Sequence, residues 1–288
     1  MNVVRVEGLT KHFKKFHLGP LNFKVEKGTA VGLVGSNGSG KSTFFRLLMN
    51  LVHADGGTVE IFGKKMPSSE IEIKQSIGFA ANMLEPFYQL SIKEISSHFS
   101  YWYPSWNQNK YEDLINRYKL DEGEKFGKCS TGMKKKVDFI FSLSHEPELL
   151  LLDEPTAGVD LGSQKKMKED LIEFLEDGEK SLIMSTHLID DLKQICDNII
   201  ILSPNGKVQD FLRKEEVEEN WAKFWVSELT EELRCHPHVI KVNDSQHPSY
   251  LLTDQKHVVE KELREKGISV ISIQRLPLDE IIEFQLDS

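Results

Sequence analysis

Residues Gly35-Ser-Asn-Gly-Ser-Gly-Lys-Ser-Thr43 satisfy the pattern G-x-x-x-x-G-K-[ST], and their flanks narrow the fold further. Before them, Ala30-Val-Gly-Leu-Val34 is an apolar, β-branched run that reads as a buried strand. After them, Phe44-Phe-Arg-Leu-Leu-Met49 places apolar residues at helical spacing. In a strand–loop–helix of this kind the glycines let backbone N–H groups turn inward at a helix N-terminus, forming a cradle for phosphate oxygens. Gly35, Ser36, Asn37, Gly38, Ser39, Gly40 and Thr43 then line the loop. Lys41 reaches the β- and γ-phosphates of a nucleotide, and the Ser42 hydroxyl is a ligand for Mg²⁺. The plainer reading, an ordinary strand-to-helix turn, requires four fixed positions to coincide by chance, about once in a hundred chains of this size at average glycine usage.

A chain of 288 residues buries a substantial core and predicts one large domain plus a smaller one. Its 39% apolar and 28% charged content is that of a soluble globular protein. The net charge of −9 argues against nucleic acid as the main partner, since phosphate backbones want a basic surface. Cys129, Cys196 and Cys235 are odd in number and far apart, which fits a reducing compartment and not a disulfide framework. The first residues carry no signal-peptide core, and the most apolar stretch, 139–152, is broken by His145-Glu-Pro-Glu148. If this protein works at a membrane, another chain supplies the spans.

Period-2 alternation over 3–6 and 21–25, and a strand over 58–62 opened by Gly56-Gly57, predict an antiparallel layer. Residues 77–80 read as a short core strand. From about 85 to 147 the pattern is helical, with Ser91-x-x-Glu94 as a capping box. Strands over 149–152, 181–184 and 199–202 alternate with helices over 165–176 and 190–195, which predicts a largely parallel sheet with covered faces. Near 211 the character changes. A charge run over 213–219 reads as a solvated helix face, followed by strands over 239–242, 250–253 and 269–273 and a helix over 256–266. The expected division is 1–210, containing a helical subdomain at about 85–147, and a small α+β domain over 211–288.

Leu149-Leu-Leu-Leu-Asp-Glu154 delivers two carboxylates at the C-terminal end of a strand, where open α/β sheets place ligands. Asp153 is a candidate to hold Mg²⁺ through water, and Glu154 to orient and deprotonate an attacking water. The alternative is a strand that merely ends in an acidic turn before Pro155. Cys129-Ser-Thr-Gly-Met133, followed by Lys134-Lys-Lys136, puts Ser130, Gly132 and backbone N–H groups at a positive helix N-terminus, a candidate phosphate site. Asp160, in Ala157-Gly-Val-Asp160, and His187, just past a strand, are expected at the same sheet edge, although a lone histidine there is often structural.

These elements, in this order over residues 1–210, resemble the ATP-binding subunit of ATP-binding cassette (ABC) transporters. Phe13 in Leu9-Thr-Lys-His-Phe13 matches the aromatic that stacks on adenine. Gly35–Thr43 match Walker A, Cys129–Met133 fall at the signature motif, and Leu149–Glu154 match Walker B with its catalytic glutamate. Ala157–Asp160 match the loop at the dimer interface, and His187 matches the switch histidine. The aromatic run Tyr101-Trp-Tyr-Pro-Ser-Trp106, the Ser-x-Gly-Met-Lys-Lys-Lys segment and the ending Leu276-Pro-Leu-Asp-Glu-Ile-Ile282 look most like ATPases paired with bacterial ABC-2-type exporter permeases.

The resemblance implies an α/β, P-loop NTPase fold of the ABC-ATPase type, with an antiparallel β layer, a helical subdomain and a small C-terminal α+β appendage. It also implies ATP and Mg²⁺ as ligands. Lys41, Glu154 and His187 would be the catalytic residues, and two such subunits would meet head to tail so that Ser130 and Gly132 complete the opposite site. The implied partners are integral-membrane permease chains and a second ATPase subunit, with no nucleic acid. The implied location is cytoplasmic, on the inner face of the cell membrane. Two departures stand out. Asn82 occupies the position of the family's usual glutamine, which contacts Mg²⁺ and the attacking water, and is one methylene shorter. Cys129 and Met133 replace the usual leucine and glutamine of the signature. Phe87-Tyr88 and the 101–106 aromatics either pack the helical subdomain or face the permease. The rival function is a soluble, non-transport ABC ATPase of the iron–sulfur assembly or nucleic-acid repair type.

Overall fold

The computed structural model describes residues 1–245 and 247–287. The chain forms two compact units, Met1–Phe211 and Leu212–Ser288. The first begins with β1 (Asn2–His12), β2 (His17–Glu26), β3 (Ala30–Gly35), α1 (Lys41–Leu48), β4 (Gly56–Ile61), β5 (Lys64–Lys65), α2 (Glu70–Gln75) and β6 (Ile77–Ala80). Helices α3 (Ile92–Trp102), α4 (Gln108–Tyr118) and α5 (Thr131–Ser144) follow. Strands and helices then alternate through β7 (Leu149–Asp153), α6 (Leu161–Leu175), β8 (Ser181–Ser185), α7 (Ile189–Ile195), β9 (Asn198–Leu202) and β10 (Val208–Arg213).

Two sheets result. One is antiparallel in the order β2-β1-β4-β5. The other runs β10-β9-β3-β8-β7-β6, with β9, β3, β8, β7 and β6 mutually parallel. The burial patterns explain the division. β2 alternates buried and exposed residues and so covers the core with one face only, whereas every residue of β3 and β8 is buried. Parallel strands covered on both faces must be continuously apolar. Leu149 to Leu152 of β7 have no exposed surface, and each contributes about 1.5–3 kcal/mol by its burial. A single core joins the antiparallel layer, α1 and one face of the parallel sheet, with Phe44 and Phe45 of α1 between the layers.

The helical segment starts at the expected capping box, Ser91 with Glu94. Its aromatics divide between core and surface. Phe99 and Trp106 meet Phe141 and, for Trp106, Tyr111, at ring separations of 5.0–6.0 Å, while Tyr101 and Trp102 are 80% and 69% exposed. Helix α6 starts at Leu161, four residues before the expected start, because the Asp160 side chain accepts the Ser163 N–H at 2.9 Å and caps it.

The second unit contains α8 (Lys214–Asn220), β11 (Ala222–Val226), α9 (Glu231–Arg234), β12 (Lys241–Asn243), β13 (Ser249–Thr253), α10 (Lys256–Glu265), β14 (Val270–Arg275) and α11 (Leu278–Asp287). Its sheet is antiparallel in the order β12-β13-β11-β14, around a core of Ala222, Phe224, Val226, Leu233, Leu251, Val259 and Leu263. The central strand β11 was absent from the sequence expectation, and the strand expected over 239–242 is shorter and shifted, at 241–243.

Candidate nucleotide site

Strand β3 ends at Gly35 and α1 begins at Lys41, so residues 36–40 are the whole connection. Gly40 closes it at φ +102°, a conformation open to glycine, with no side chain capping the first turn of α1. The Phe16 ring lies beside it: a Cβ on Gly40 would come within 2.9 Å of the ring. Lys41 is 6% exposed, and its Nζ donates to the carbonyls of Gly35 (2.8 Å) and Ser36 (3.3 Å). Burial holds its ammonium below the ordinary lysine range, opposed by Glu154 and Asp153. Ser39 is fully buried and its Oγ has no partner.

Strand β8 lies between β3 and β7, and Ser185 is in register with both Leu33 and Asp153. Its hydroxyl donates to Asp153 Oδ1 at 2.6 Å and accepts the Glu154 N–H at 2.9 Å. One side chain thereby orients both candidate carboxylates. Glu154 takes the left-handed backbone, φ +50°, which costs a residue with a Cβ on the order of 1 kcal/mol. Its Oε1 lies 3.1 Å from His187 Nε2, both side chains being partly exposed. Behind this pair sits Asp191, with no exposed surface. Its Oδ2 accepts from Thr156 (3.2 Å), just after β7, and from Thr186 (3.0 Å), just after β8, and Lys168 pairs with it at 3.0 Å. The loops carrying Glu154 and His187 are thus tied to one buried carboxylate. Ser185 and Asp191 escaped the sequence reading because neither belongs to a spaced motif.

A second group gathers around the start of α5. Ser130 caps the helix, its Oγ accepting the Met133 N–H at 3.2 Å. Gly132 faces the Gly158 carbonyl so closely that a Cβ would sit 2.9 Å from the oxygen. Asp160 caps α6 and pairs with Lys136 at 2.9 Å, and Lys136 holds its carboxyl well below the usual range. Lys134 pairs with Glu85 at 3.2 Å, and Lys135 donates to the Asp153 carbonyl at 3.2 Å. The three lysines read as a basic phosphate environment are each engaged with a different segment of their own chain. Among the described residues no hydrogen bond or ion pair joins Ser130 or Gly132 to the 35–43 loop.

Phe13 is 46% exposed at the β1–β2 turn, where its N–H donates to the Phe16 carbonyl at 2.8 Å. Asn82 follows β6 at φ +56°, two residues past the pairing of Ala80 with Leu152. Asp138 is 5% exposed, and burial raises its carboxyl to about 7.

Residues 18–157 match a family model described as ABC transporter. The chain is 30% identical over 210 residues to the ABC transporter ATP-binding protein YtrB of Bacillus subtilis (strain 168), an alignment spanning 72% of this chain and 70% of that one. It is 32% identical over 227 residues to the uncharacterized ABC transporter ATP-binding protein MJ1023 of Methanocaldococcus jannaschii, across 73% of this chain and 80% of that one. The chain belongs to the ABC transporter family. This ABC ATPase also shares its fold with solved cassettes. A structure of the ATP-binding subunit of an ABC transporter superposes with a TM-score of 0.68 at 23% identity, covering 75% of this chain and 92% of that one. The dimeric post-hydrolysis cassette MJ0796, bound to ADP and Pi, gives 0.66 at 22%, covering 73% and 98%. The chain is therefore the ATP-binding, ATP-hydrolysing subunit of an ABC transporter, with the P-loop ABC-ATPase fold. No helix among the described residues is long and apolar enough to cross a membrane.

Proposed function

We propose that this ABC ATPase energises export through separate membrane permease chains, from the inner face of the cell membrane, by closing as a dimer on ATP. The observation that carries the hydrolytic part is the 3.1 Å approach of Glu154 to His187, with Ser185 fixing the backbone and the neighbouring Asp153. Glu154 takes a proton from water as its oxygen attacks the γ-phosphorus. The bond to the β-phosphate oxygen breaks, and ADP and phosphate leave. His187 orients Glu154 and contacts the γ-phosphate. Lys41 leaves the loop carbonyls of Gly35 and Ser36 for the β- and γ-phosphates, joined by the N–H groups of the uncapped α1 terminus. Phe13 stacks on adenine, with Asn82 beside the attacking water.

The oxygen donors Ser42 and Asp153 suit a hard divalent cation, and Mg²⁺ held there supplies charge neutralisation for the phosphates. Ser130 and Gly132 lie outside hydrogen-bond contact with their own loop, which supports their role in the site of a second subunit. Support for export comes from the Nod factor export ATP-binding protein I of Burkholderia lata, 29% identical over 203 residues. Purification of the tagged full chain from detergent-solubilised membranes is the test. A polytopic permease recovered in stoichiometric amount, with ATPase activity lost in Glu154→Gln, is the expected result. Recovery only with soluble partners would replace this reading by a non-transport ATPase.

A further inference from the structure

The sheet of the second unit, β12-β13-β11-β14, has two open edges, and they are built differently. β12 is three residues long and opens on the exposed Lys241, the short and charged form that keeps an edge from pairing further. β14 runs for six residues, and Ile271 to Arg275 are all exposed. It pairs with β11 on one side and, among the described residues, with no strand on the other, so a row of backbone N–H and C=O groups faces outward. No proline interrupts that row, and no charged residue stands between Lys266 and Arg275.

The side chains of β14 fit the same picture. Ile273 stands opposite Phe224, a core residue with no exposed surface, yet is itself 39% exposed, and Ile271 is 56% exposed. The apolar face of the sheet therefore runs on to its rim uncovered. Soluble proteins normally blunt such a rim, as β12 does here. The segment Val270-Ile-Ser-Ile-Gln274 also reads nearly alike in both directions about Ser272. Laid antiparallel against a second copy, it sets Ser272 against its own counterpart, Ile271 against Ile273 and Arg275 against Ser269. Apolar then meets apolar, and no like charges face each other.

We propose that β14 is a homodimer edge: two copies of this chain pair strand to strand through it, antiparallel about Ser272, with or without nucleotide. The proposal needs neither the export reading nor hydrolysis. A six-residue pairing is a modest contact, of the kind that gains from a second one. It keeps two ATPase subunits at high effective concentration while ATP-driven closure is released. It also makes the second ATPase subunit another copy of this chain.

The test is sedimentation velocity of the nucleotide-free full-length chain over about 1–100 μM. Wild type should show a concentration-dependent dimer. Ser272 is exposed, so Ser272→Lys and Ser272→Glu spare the fold. Each sets like charges against each other at the twofold axis and should raise the dimer dissociation constant at least about tenfold. An equimolar mixture of the two variants should dimerise at least as well as wild type, a recovery that misfolded protein could not give. Wild type that stayed monomeric throughout would overturn the proposal, as would a dimer untouched by either charge. A dimer formed only with ATP, in Glu154→Gln, would uphold the closure given under the proposed function and overturn the pairing through β14. A nucleotide-free dimer that responds to both charges, with no closure on ATP, would do the reverse.

Discussion

The ends of β7 and β8 and the first turns of α5 both carry residues of the site, but they are held by different means. Around Glu154 and His187 the ties are short side chains in buried places: the Ser185 hydroxyl, Thr156, Thr186 and the enclosed Asp191. Around Ser130 two of the three lysine ties reach carboxylates that face solvent, Glu85 at 59% and Asp160 at 61% side-chain exposure. Buried hydrogen bonds of small groups lose little entropy on forming and are costly to break, whereas exposed ion pairs are weak and salt-sensitive. The contrast assigns rigidity to the hydrolytic edge and compliance to the helix that carries the signature.

Four substitutions probe that contrast. Glu154→Gln removes the proton acceptor but keeps the size of the side chain, and kcat should fall by about 10³-fold or more with ATP affinity retained. Steady-state ATPase assays with equilibrium nucleotide titration would show it. Asp191→Ala strands Lys168 and both threonines in a buried place, so urea unfolding should register a loss of about 3–5 kcal/mol.

Asp138→Asn should change the pH dependence of stability. Below pH 4 the wild-type carboxyl is protonated whether the chain is folded or unfolded. Between 4 and about 7 only the unfolded chain releases its proton, so wild-type stability falls as pH rises, then levels off. The total is on the order of 4 kcal/mol, and the variant should lack that slope. A wild-type curve that rose between pH 4 and 7 relative to the variant would contradict a carboxyl raised by burial. Smallest of all, Lys136→Ala should cost less than about 1 kcal/mol of stability in low salt and almost nothing in high salt. A loss as large as that of Asp191→Ala would erase the distinction between the two regions.

Much of this was legible in the chain. Strands β3, β7, β8 and β9 are continuous apolar runs that could hardly be anything but covered parallel strands, and the glycine loop announces itself by spacing. What stayed hidden depended on partners far along the chain. Lys134, Lys135 and Lys136 look alike in sequence, and their partners Glu85 and Asp153 stand 49 and 18 positions away. Helical phase, too, is needed to turn Phe99 inward and Tyr101 and Trp102 outward. Strand β11 does carry an alternation, Ala222, Phe224 and Val226 inward. Its outward residues, Lys223 and Trp225, differ too much in polarity for the pattern to stand out beside a charged helix.

Three consecutive lysines fan out by about 100° per residue around α5, each toward a different segment, and Ser130 stands at the head of the same helix. The spacing between the cap and the fan is therefore a fixed length. One residue inserted between Ser130 and Lys134 would leave every amino acid of the fan in place and still swing all three tethers about a third of a turn away from their partners. In this stretch, unlike a surface loop, the count of residues is itself part of the mechanism.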